Sequence, residues 1–391
     1  MKALEVLLIF LRLGLTSFGG PIAHIGYFRE AFVTRRKWLG ESEFADLVAL
    51  CQFLPGPASS QVGFALGVSR AGLLGGLAAW TGFTLPSALL LFAFAQAASS
   101  LKGAVAQAAI HGLKIVAVAV VAQAVWGMAR TLTPDARRAA IAIIAAAIVL
   151  FAAGSLVQIA AILIGAVGGY FFCRQAMTAA VGHLSFPVTR QFGVAMLVAY
   201  GVLLIALPLF AARSHGVAVF DAFYRSGALV FGGGHVVLPL LRDAVVSKGW
   251  VSPDAFLAGY GAAQAVPGPL FTFAAYLGSV LNAPPNNLLG AALALIAIFL
   301  PGILVLLGAL PFWDEFRKRM DAQAVMRGVN AAVVGILAAA LYNPLWTTAI
   351  ASWIDAVLAL AGFSALTFLK APPWSAVAGT VAAAVAFQLL R

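Results

Sequence analysis

The sequence predicts an all-α, polytopic integral membrane protein with two homologous helical repeats in inverted orientation and with broken or re-entrant helices. The 391 residues are 63% hydrophobic and only 9% charged, whereas soluble domains carry about 25% charged residues. The apolar runs are continuous and as long as helices, which favours spanning helices over a β-barrel. Short motifs also recur in the two halves of the chain at a nearly constant offset.

Apolar segments of helical length follow one another along the chain, and each is predicted as a helix. Several are short or interrupted by glycine and proline, so the sequence leaves the number of complete crossings open. The segments cover residues 3–18, 44–66, 71–97, 106–130, 139–153, 156–173, 190–211, 219–231, 255–280, 287–311, 325–342, 347–369 and 374–390.

Two motifs occur once in each half of the chain and in the same order. Phe18-Gly19-Gly20 returns as Phe231-Gly232-Gly233, 213 residues later, and QFLPGP from Gln52 returns as QAVPGP from Gln264, 212 residues later. Chance similarity between apolar helices does not keep two such motifs in register. The predicted domains are a first repeat at 1–150, connecting membrane helices at 151–215 and a second repeat at 216–391.

Loop charge predicts that the two repeats have opposite orientations. Three loops carry three or four basic residues each, while their counterparts in the other repeat carry two at most. Basic loops stay on the cytoplasmic side, so equivalent loops lie on opposite sides of the membrane. The basic loops are 29–37, 130–138 and 314–319, and their counterparts are 242–248, 343–346 and 99–102.

The segments 44–66 and 71–97 separate a loop predicted as cytoplasmic from one predicted as external. Two full crossings would return the chain to its starting side. The segment that contains Pro-Gly-Pro is therefore predicted to enter the membrane and turn back without crossing. The low-charge stretch 139–211 then supplies the odd number of crossings that inverts the second repeat.

Both motifs are predicted to interrupt helices inside the bilayer, because glycine pairs weaken a helix and proline removes an amide donor. Broken backbone at membrane depth needs protein partners or a water-lined cavity, and a helix N-terminus there attracts anions. Two pairs of breaks related by a pseudo-twofold axis would surround one central site. For a glycine pair alone, close helix packing is the competing interpretation.

The candidate binding residues are the breaks and the uncharged polar side chains beside them. Such side chains suit an oxyanion because they donate hydrogen bonds without fixing a countercharge, and hydrogen bonding between helices is their alternative role. These residues are Ser17, Phe18, Gly19, Gly20, Gln52, Pro55, Gly56, Pro57, Ser59, Ser60, Gln61, Phe231, Gly232, Gly233, Gly234, Gln264, Pro267, Gly268, Pro269 and Thr272.

Two histidines follow the glycine breaks without being counterparts in the repeat. His24 lies four residues after Gly20, and His235 comes directly after Gly234. Histidine changes protonation near neutral pH, so either side chain is a candidate to pair with an anion or carry a coupling proton. A neutral histidine bonded to a neighbouring carbonyl is the alternative for each.

Four charged residues are candidates for gating or coupling. Arg29 and Arg242 follow the breaks towards the membrane edge, where plain surface ion pairs are the alternative. Arg12 lies inside the first apolar segment, where charge is functional by default, although a side chain so near the N-terminus can also snorkel. Asp46 is the carboxylate nearest to the first Pro-Gly-Pro and suits proton or cation coupling.

Five stretches together resemble the chromate ion transporter family in its long-chain, two-domain form, over essentially the whole chain. The resemblance implies a multi-pass carrier of the bacterial inner membrane that exports chromate and draws on the membrane potential or the proton gradient. The stretches are FGGPIAHIGYF at Phe18–Phe28, QFLPGPASSQVG at Gln52–Gly63, TLPSALLLF at Thr84–Phe92, FGGGHVVLPLL at Phe231–Leu241 and QAVPGPLFTFAAYLG at Gln264–Gly278.

The expected partners are a small inorganic oxyanion and the lipid bilayer. Chromate and sulfate are both tetrahedral dianions, and the residues do not distinguish them. No cofactor, metal or nucleotide is expected, because no phosphate loop is present and the cysteines Cys51 and Cys173 lie far apart. The net charge of +11 reflects basic loops rather than nucleic-acid binding.

Transport by alternating access is the mechanism that the inverted repeats favour. An anion channel is the alternative, because broken helices that face a pore also suit channels. A membrane enzyme such as a chromate reductase is disfavoured, since no haem, flavin or metal motif occurs. The oligomeric state is left open between a monomer and a homodimer.

Overall fold

The computed structural model describes residues 2–100, 103–152, 155–174, 186–231, 234–316 and 319–390. All regular structure in these ranges is helical, which confirms the all-α prediction. Within the described ranges, five helices are long and apolar enough to cross a membrane. The protein is therefore a polytopic membrane protein.

The first repeat contains an interrupted helix and an extended one, and both matter for the path of the chain. α4 loses helical geometry at Ala71 and Gly72, so it has one part before and one part after this point. α2 continues into a π-helical segment at Arg29–Arg35. The helices are α1 Lys2–Thr16, α2 Gly20–Phe28, α3 Glu41–Phe53, α4 Ala58–Ser100, α5 Ala104–Leu132, α6 Ala136–Phe151, α7 Ser155–Phe172, α8 Arg190–Ala211, α9 His215–Ala228, α10 Val237–Val245, α11 Pro253–Ala265, α12 Phe273–Ser279, α13 Asn287–Ala309, α14 Trp313–Phe316, α15 Met320–Ala340, α16 Thr347–Ala349, α17 Trp353–Thr367 and α18 Pro373–Leu389.

The first repeat begins with two hairpins that enter the bundle from the same end. The guanidinium of Arg70, at the end of the first part of α4, pairs with Glu5 near the start of α1 at 3.2 Å. It also lies over the ring of Trp38, which follows the π-helical segment, at 5.1 Å. The start of α1, the loop after the π-helical segment and the end of the first part of α4 therefore lie together at one end of the bundle, which we call the first end. Each motif break lies at the tip of one hairpin.

The helices that flank the first Pro-Gly-Pro are too short to cross a bilayer. α3 and the part of α4 before Ala71 have 13 residues each, or about 20 Å at 1.5 Å per residue. A hydrocarbon core is about 30 Å thick. The two helices form a re-entrant hairpin, as the parity of the loops predicted.

The second repeat has the same two hairpins, based at what we call the second end. The backbone N–H of Asn282, the counterpart of Arg70, donates to the carbonyl of Trp250, the counterpart of Trp38, at 3.0 Å. The ring of His215, at the start of α9, lies 4.9 Å from that of Trp250. The start of α9, Trp250 before α11 and Asn282 after α12 thus lie together at the second end, as their counterparts do at the first end.

The first and second ends lie on opposite sides of the bundle. The part of α4 after Gly72 spans about 40 Å, and Gln96 near its far end donates from Nε2 to Oδ1 of Asn287, where α13 starts, at 3.4 Å. Lys114, near the start of α5, pairs with Asp254 at the start of α11 at 2.8 Å. Both contacts place the second repeat's base at the far end of α4, so the repeats are inverted.

The helices between the two sets of hairpins complete the inversion. α6 leaves the first end and α7 returns to it, because Arg137 Nη1 donates to the Phe172 carbonyl at 3.1 Å. α8 then carries the chain across, and none of its apolar window is buried within the bundle. Packing is exchanged between repeats: α5 packs on α17 and α18, and α15 packs on α6 and α7.

Candidate functional site

The glycine break of the first repeat needs glycine at both positions. Gly19 has φ +104° and Gly20 has φ +75°, which is left-handed backbone that other residues adopt only with strain. α2 begins directly at Gly20 with Pro21 in its first turn, where a missing N–H costs nothing. In the second break, Gly232 and Gly233 lie outside the described residues, and Gly234 begins a 3₁₀ turn.

The two Pro-Gly-Pro breaks are stabilised by hydrogen bonds exchanged between the repeats. The N–H of Gly56 donates to the carbonyl of Val230 at 2.8 Å, and the N–H of Gly268 donates to the carbonyl of Ser17 at 2.9 Å. Val230 and Ser17 each directly precede the phenylalanine of a glycine break. The tip of each Pro-Gly-Pro hairpin therefore binds the tip of the other repeat's first hairpin, and a pseudo-twofold axis relates the two contacts.

A second exchanged contact brings the same glycines against the long helices of the opposite repeat. A Cβ added to Gly56 would lie 2.9 Å from Cα of Gly302 on α13, and one added to Gly268 would lie 2.9 Å from Oγ of Ser87 on α4. Gln61 stabilises the contact between Gly56 and Gly302, because its Nε2 donates to the carbonyls of Pro55 and Gly302, both at 2.9 Å. Both breaks are thus buried against the other half of the chain.

A cavity of about 500 Å³, which we call the central cavity, lies where the breaks meet. The first glycine break and the second Pro-Gly-Pro form one wall, and α5, α17 and α18 form the other. Its lining residues are Phe18, Gly19, Gly20, Pro21, Ala23, Tyr27, Val120, Gln123, His235, Ala263, Gln264, Val266, Gly268, Leu270, Leu366, Lys370, Ala371, Pro372, Pro373 and Trp374.

The polar groups of the central cavity favour an anion. Lys370 supplies an ammonium group, and among the described lining residues there is no carboxylate. The amide Nε2 of Gln264 is buried without a hydrogen-bond partner in the described structure. His235 is held in place because its Nδ1 lies 2.6 Å from the hydroxyl of the fully buried Tyr260. α2 starts at this wall with free backbone N–H groups, which adds partial positive charge.

Several other predicted residues lie close to the breaks without lining the central cavity. His24 is buried, with Nδ1 3.3 Å from the Ser59 hydroxyl and Nε2 3.2 Å from the Ser17 carbonyl, so it joins the two hairpins of the first repeat. Thr272 donates to the Pro269 carbonyl at 2.7 Å. Pro57 and Ser60 are buried, and the hydroxyl of Ser60 has no partner in the described structure. These side chains pack around the breaks and do not line the central cavity.

The remaining predicted residues lie away from the cavity lining. Gln52 is exposed, although it is the counterpart of Gln264. Pro55 and Pro267 shape the Pro-Gly-Pro turns, and Phe231 packs against the core. The motif alone therefore does not tell which copy of a repeated residue faces the cavity.

The four charged candidates have different surroundings. Arg29 forms an exposed surface ion pair with Glu41 at 2.6 Å, and this carboxylate raises the pKa of Arg29. Arg12 is exposed on α1, Arg242 is half-buried, and Asp46 is buried in α3. None of the four lines the central cavity.

Lys370, Gln123 and Tyr27 are cavity residues that the sequence analysis missed. Lys370 lies in the loop between α17 and α18, which have 15 and 17 residues and therefore span only about 22 and 25 Å. Helices of this length do not carry their connecting loop to the far surface of a bilayer. The predicted apolar segments on either side of it, 347–369 and 374–390, have 23 and 17 residues, and the first is long enough to span, so their lengths did not indicate a loop at this depth.

Discontinuous helices from two inverted repeats that meet at a central cavity are the architecture of a membrane transport protein. The sequence profile described as "Chromate transporter" matches residues 4–170 and 217–387. The chain belongs to the chromate transporter family, which consists of transport proteins and not of enzymes.

Relatives that carry this function in their names match most of the chain. It is 28% identical to the chromate transport protein of Pseudomonas aeruginosa, over 87% of this chain and 80% of that protein. It is 29% identical to the probable chromate transport protein of Synechococcus elongatus, over 85% of this chain and 82% of that protein. It is 25% identical to the chromate transport protein of Cupriavidus metallidurans, over 86% of this chain and 81% of that protein. No solved structure matches the chain. Family and relatives support chromate transport.

Proposed function

We propose that this protein exports chromate from the cytoplasm by alternating access, as a secondary active transporter of a bacterial inner membrane. The observation that carries the proposal is the central cavity, where both repeats contribute amide donors beside Lys370 and where the lining residues that the structure describes include no carboxylate. A tetrahedral dianion would accept hydrogen bonds from Gln264 and from the backbone N–H groups that begin α2. Lys370 would supply the countercharge, and His235 a further donor.

The described conformation is the one open to the cytoplasm in this proposal. Basic loops favour the cytoplasmic side, and loop 29–37 with its four basic residues lies at the first end. The cavity extends from the breaks towards this end, because Tyr27 lies on the return path of α2 and Gln123 lies in the second half of α5.

Export would proceed when one repeat rocks against the other around the exchanged contacts. The two reciprocal hydrogen bonds at Gly56 and Gly268 provide a pseudo-symmetric contact about which the inward and outward states can interchange. A dianion that leaves a cell with a negative interior gains about 4.6 kcal/mol per 100 mV, twice the value for a unit charge. The membrane potential alone can therefore drive export.

The test is uptake of labelled chromate into everted membrane vesicles, in which the first end faces the medium. Uptake should fall when the membrane potential is collapsed, and Lys370→Met should raise KM about tenfold, the low end for a lost hydrogen bond to a charged group. Lys248→Met, at the second end, is the matched control and should keep the wild-type KM. Excess sulfate in the medium tests whether the site accepts both dianions.

Two results would contradict the proposal. Uptake against a gradient that persists after both the potential and the proton gradient are collapsed would exclude secondary active transport. Flux that rises without saturation, together with single-channel currents, would show the alternative function, an anion channel.

A further inference from the structure

A second cavity, of about 700 Å³, opens at the second end of the bundle, and we call it the second-end cavity. It is lined by α5, α11, α17 and α18, and these same four helices line the central cavity. On α5, for example, His111 and Lys114 line the second-end cavity, while Val120 and Gln123 line the central cavity. The two cavities thus follow one another along a single set of helices.

Small residues close the space between the two cavities. A Cβ added to Gly112 on α5 would lie 2.8 Å from the Cα of Val381 on α18, and one added to Gly362 on α17 would lie 3.1 Å from the Cβ of Ala119. Gly261 on α11 packs against the carbonyl of Leu113. At these glycines the helices approach one another closely, so a small displacement of the helices changes the contacts between the two cavities.

An ion pair and a histidine–carboxylate contact, both among the described residues of the second-end cavity, join one repeat to the other. Lys114 Nζ on α5 lies 2.8 Å from Asp254 on α11, and His111 Nε2 lies 3.0 Å from Asp355 on α17. The second oxygen of Asp355 accepts the backbone N–H groups of Ala351 and Ser352, which fixes the carboxylate. Both nitrogen donors belong to the first repeat, and both carboxylates belong to the second.

We propose that the second-end cavity is a release site for a tetrahedral oxyanion, with Lys114 and His111 as its donors. This inference rests on the proposed function. While the pairs are closed, the carboxylates neutralise the donors and exclude an anion. When α11 and α17 move with the second repeat, the charges separate and Lys114 becomes free to bind the anion. The side chain of Asp254 is 68% exposed and can turn to water, whereas that of Lys114 is only 14% exposed, so Lys114 needs another anionic partner when the pair separates.

The test is inhibition of chromate uptake into everted vesicles by sulfate loaded into the lumen, which the second end faces. Asp254→Asn frees Lys114 and should lower the half-inhibiting concentration of lumenal sulfate by about tenfold, the low end for a hydrogen bond to a charged group. Lys114→Gln should raise it. Asp321→Asn is the matched control, because Asp321 pairs with Arg174 at the first end at 3.0 Å and its side chain is 64% exposed.

Opposite shifts in the two variants, with none in the control, would support the release site. Shifts in the same direction, or an unchanged half-inhibiting concentration in both, would overturn it. Fluorescence-detected size exclusion of each variant shows whether it is folded, and His111→Gln, expected to raise the concentration as Lys114→Gln does, replaces Lys114→Gln if that variant is not folded. If Lys370→Met transports like the wild type, the central cavity proposal fails instead, so the two failures are distinguishable.

Discussion

At the scale of single residues, Gln264 has an amide nitrogen buried at the central cavity without a partner in the described structure. A buried donor of this kind costs free energy unless a ligand accepts its hydrogen bond. Gln52 has the same place in the first repeat but is exposed. The difference arises because the cavity opens on one side of the pseudo-twofold axis, so that Gln264 lines it and Gln52 does not.

The two glutamines give a matched pair of variants. Gln264→Ala should raise KM for chromate about tenfold, the low end for a lost hydrogen bond to a charged group, whereas Gln52→Ala should leave KM unchanged. Initial rates of uptake into everted vesicles at matched expression provide the measurement. Equal effects of the two substitutions would show that the cavity does not distinguish the copies.

The sequence alone predicts the breaks but only part of what surrounds them. The breaks follow from local chemistry, because glycine pairs and Pro-Gly-Pro cannot continue a helix. Lys370 could not be placed from hydropathy, since hydropathy gives the length of a segment and not the depth of its loop. The hydrogen bond from Gln61 to the Gly302 carbonyl joins residues 241 positions apart. A local sequence pattern does not predict a contact between residues so far apart.

At the scale of the elements, the Pro-Gly-Pro turns are confined by both conformation and space. Gly268 has φ +96°, and an added Cβ would lie 2.9 Å from Ser87 Oγ and 3.1 Å from the Phe83 carbonyl. Its N–H must also remain free to donate to Ser17. Alanine at this position would strain the backbone and displace α4 at the same time.

Gly268→Ala should therefore destabilise the protein by about 1–3 kcal/mol, the cost of a residue held in a rare backbone conformation. Gly26→Ala is the matched control, because Gly26 lies inside α2 and has nothing within 4 Å of an added Cβ. Thermal unfolding in detergent should show a lower midpoint for Gly268→Ala and no decrease for Gly26→Ala. An unchanged midpoint in both would mean that the turn is not constrained in this way.

At the scale of the whole molecule, the inversion predicts opposite exposure of two equivalent residues. Thr34 and Ser247 are both exposed and lie 213 residues apart, the offset of the glycine breaks. In a variant without the two native cysteines, an impermeant maleimide should label Ser247→Cys in intact spheroplasts and Thr34→Cys only after permeabilisation. Labelling of both positions from one side would contradict the inverted arrangement.

Loop charge was sufficient to predict the inversion, because translocation responds to Lys and Arg in short loops. The limits of the repeats are harder to read, since apolar helices resemble one another. α15 packs on α6 and α7 as α5 packs on α17 and α18, and the family match reaches residue 170. We propose that the first repeat extends through α7, which leaves α8 as the connecting helix.

The exchanged hydrogen bonds at Gly56 and Gly268 have a consequence for chains of half this length. Within lipid there is no water to replace a missing partner. One half by itself would leave the Gly56 amide without its hydrogen-bond partner in the hydrocarbon, and a neighbour inserted in the opposite direction would supply that partner. A gene that encodes a single half must therefore yield polypeptides that insert in both directions, or be expressed beside a sister gene whose product faces the other side.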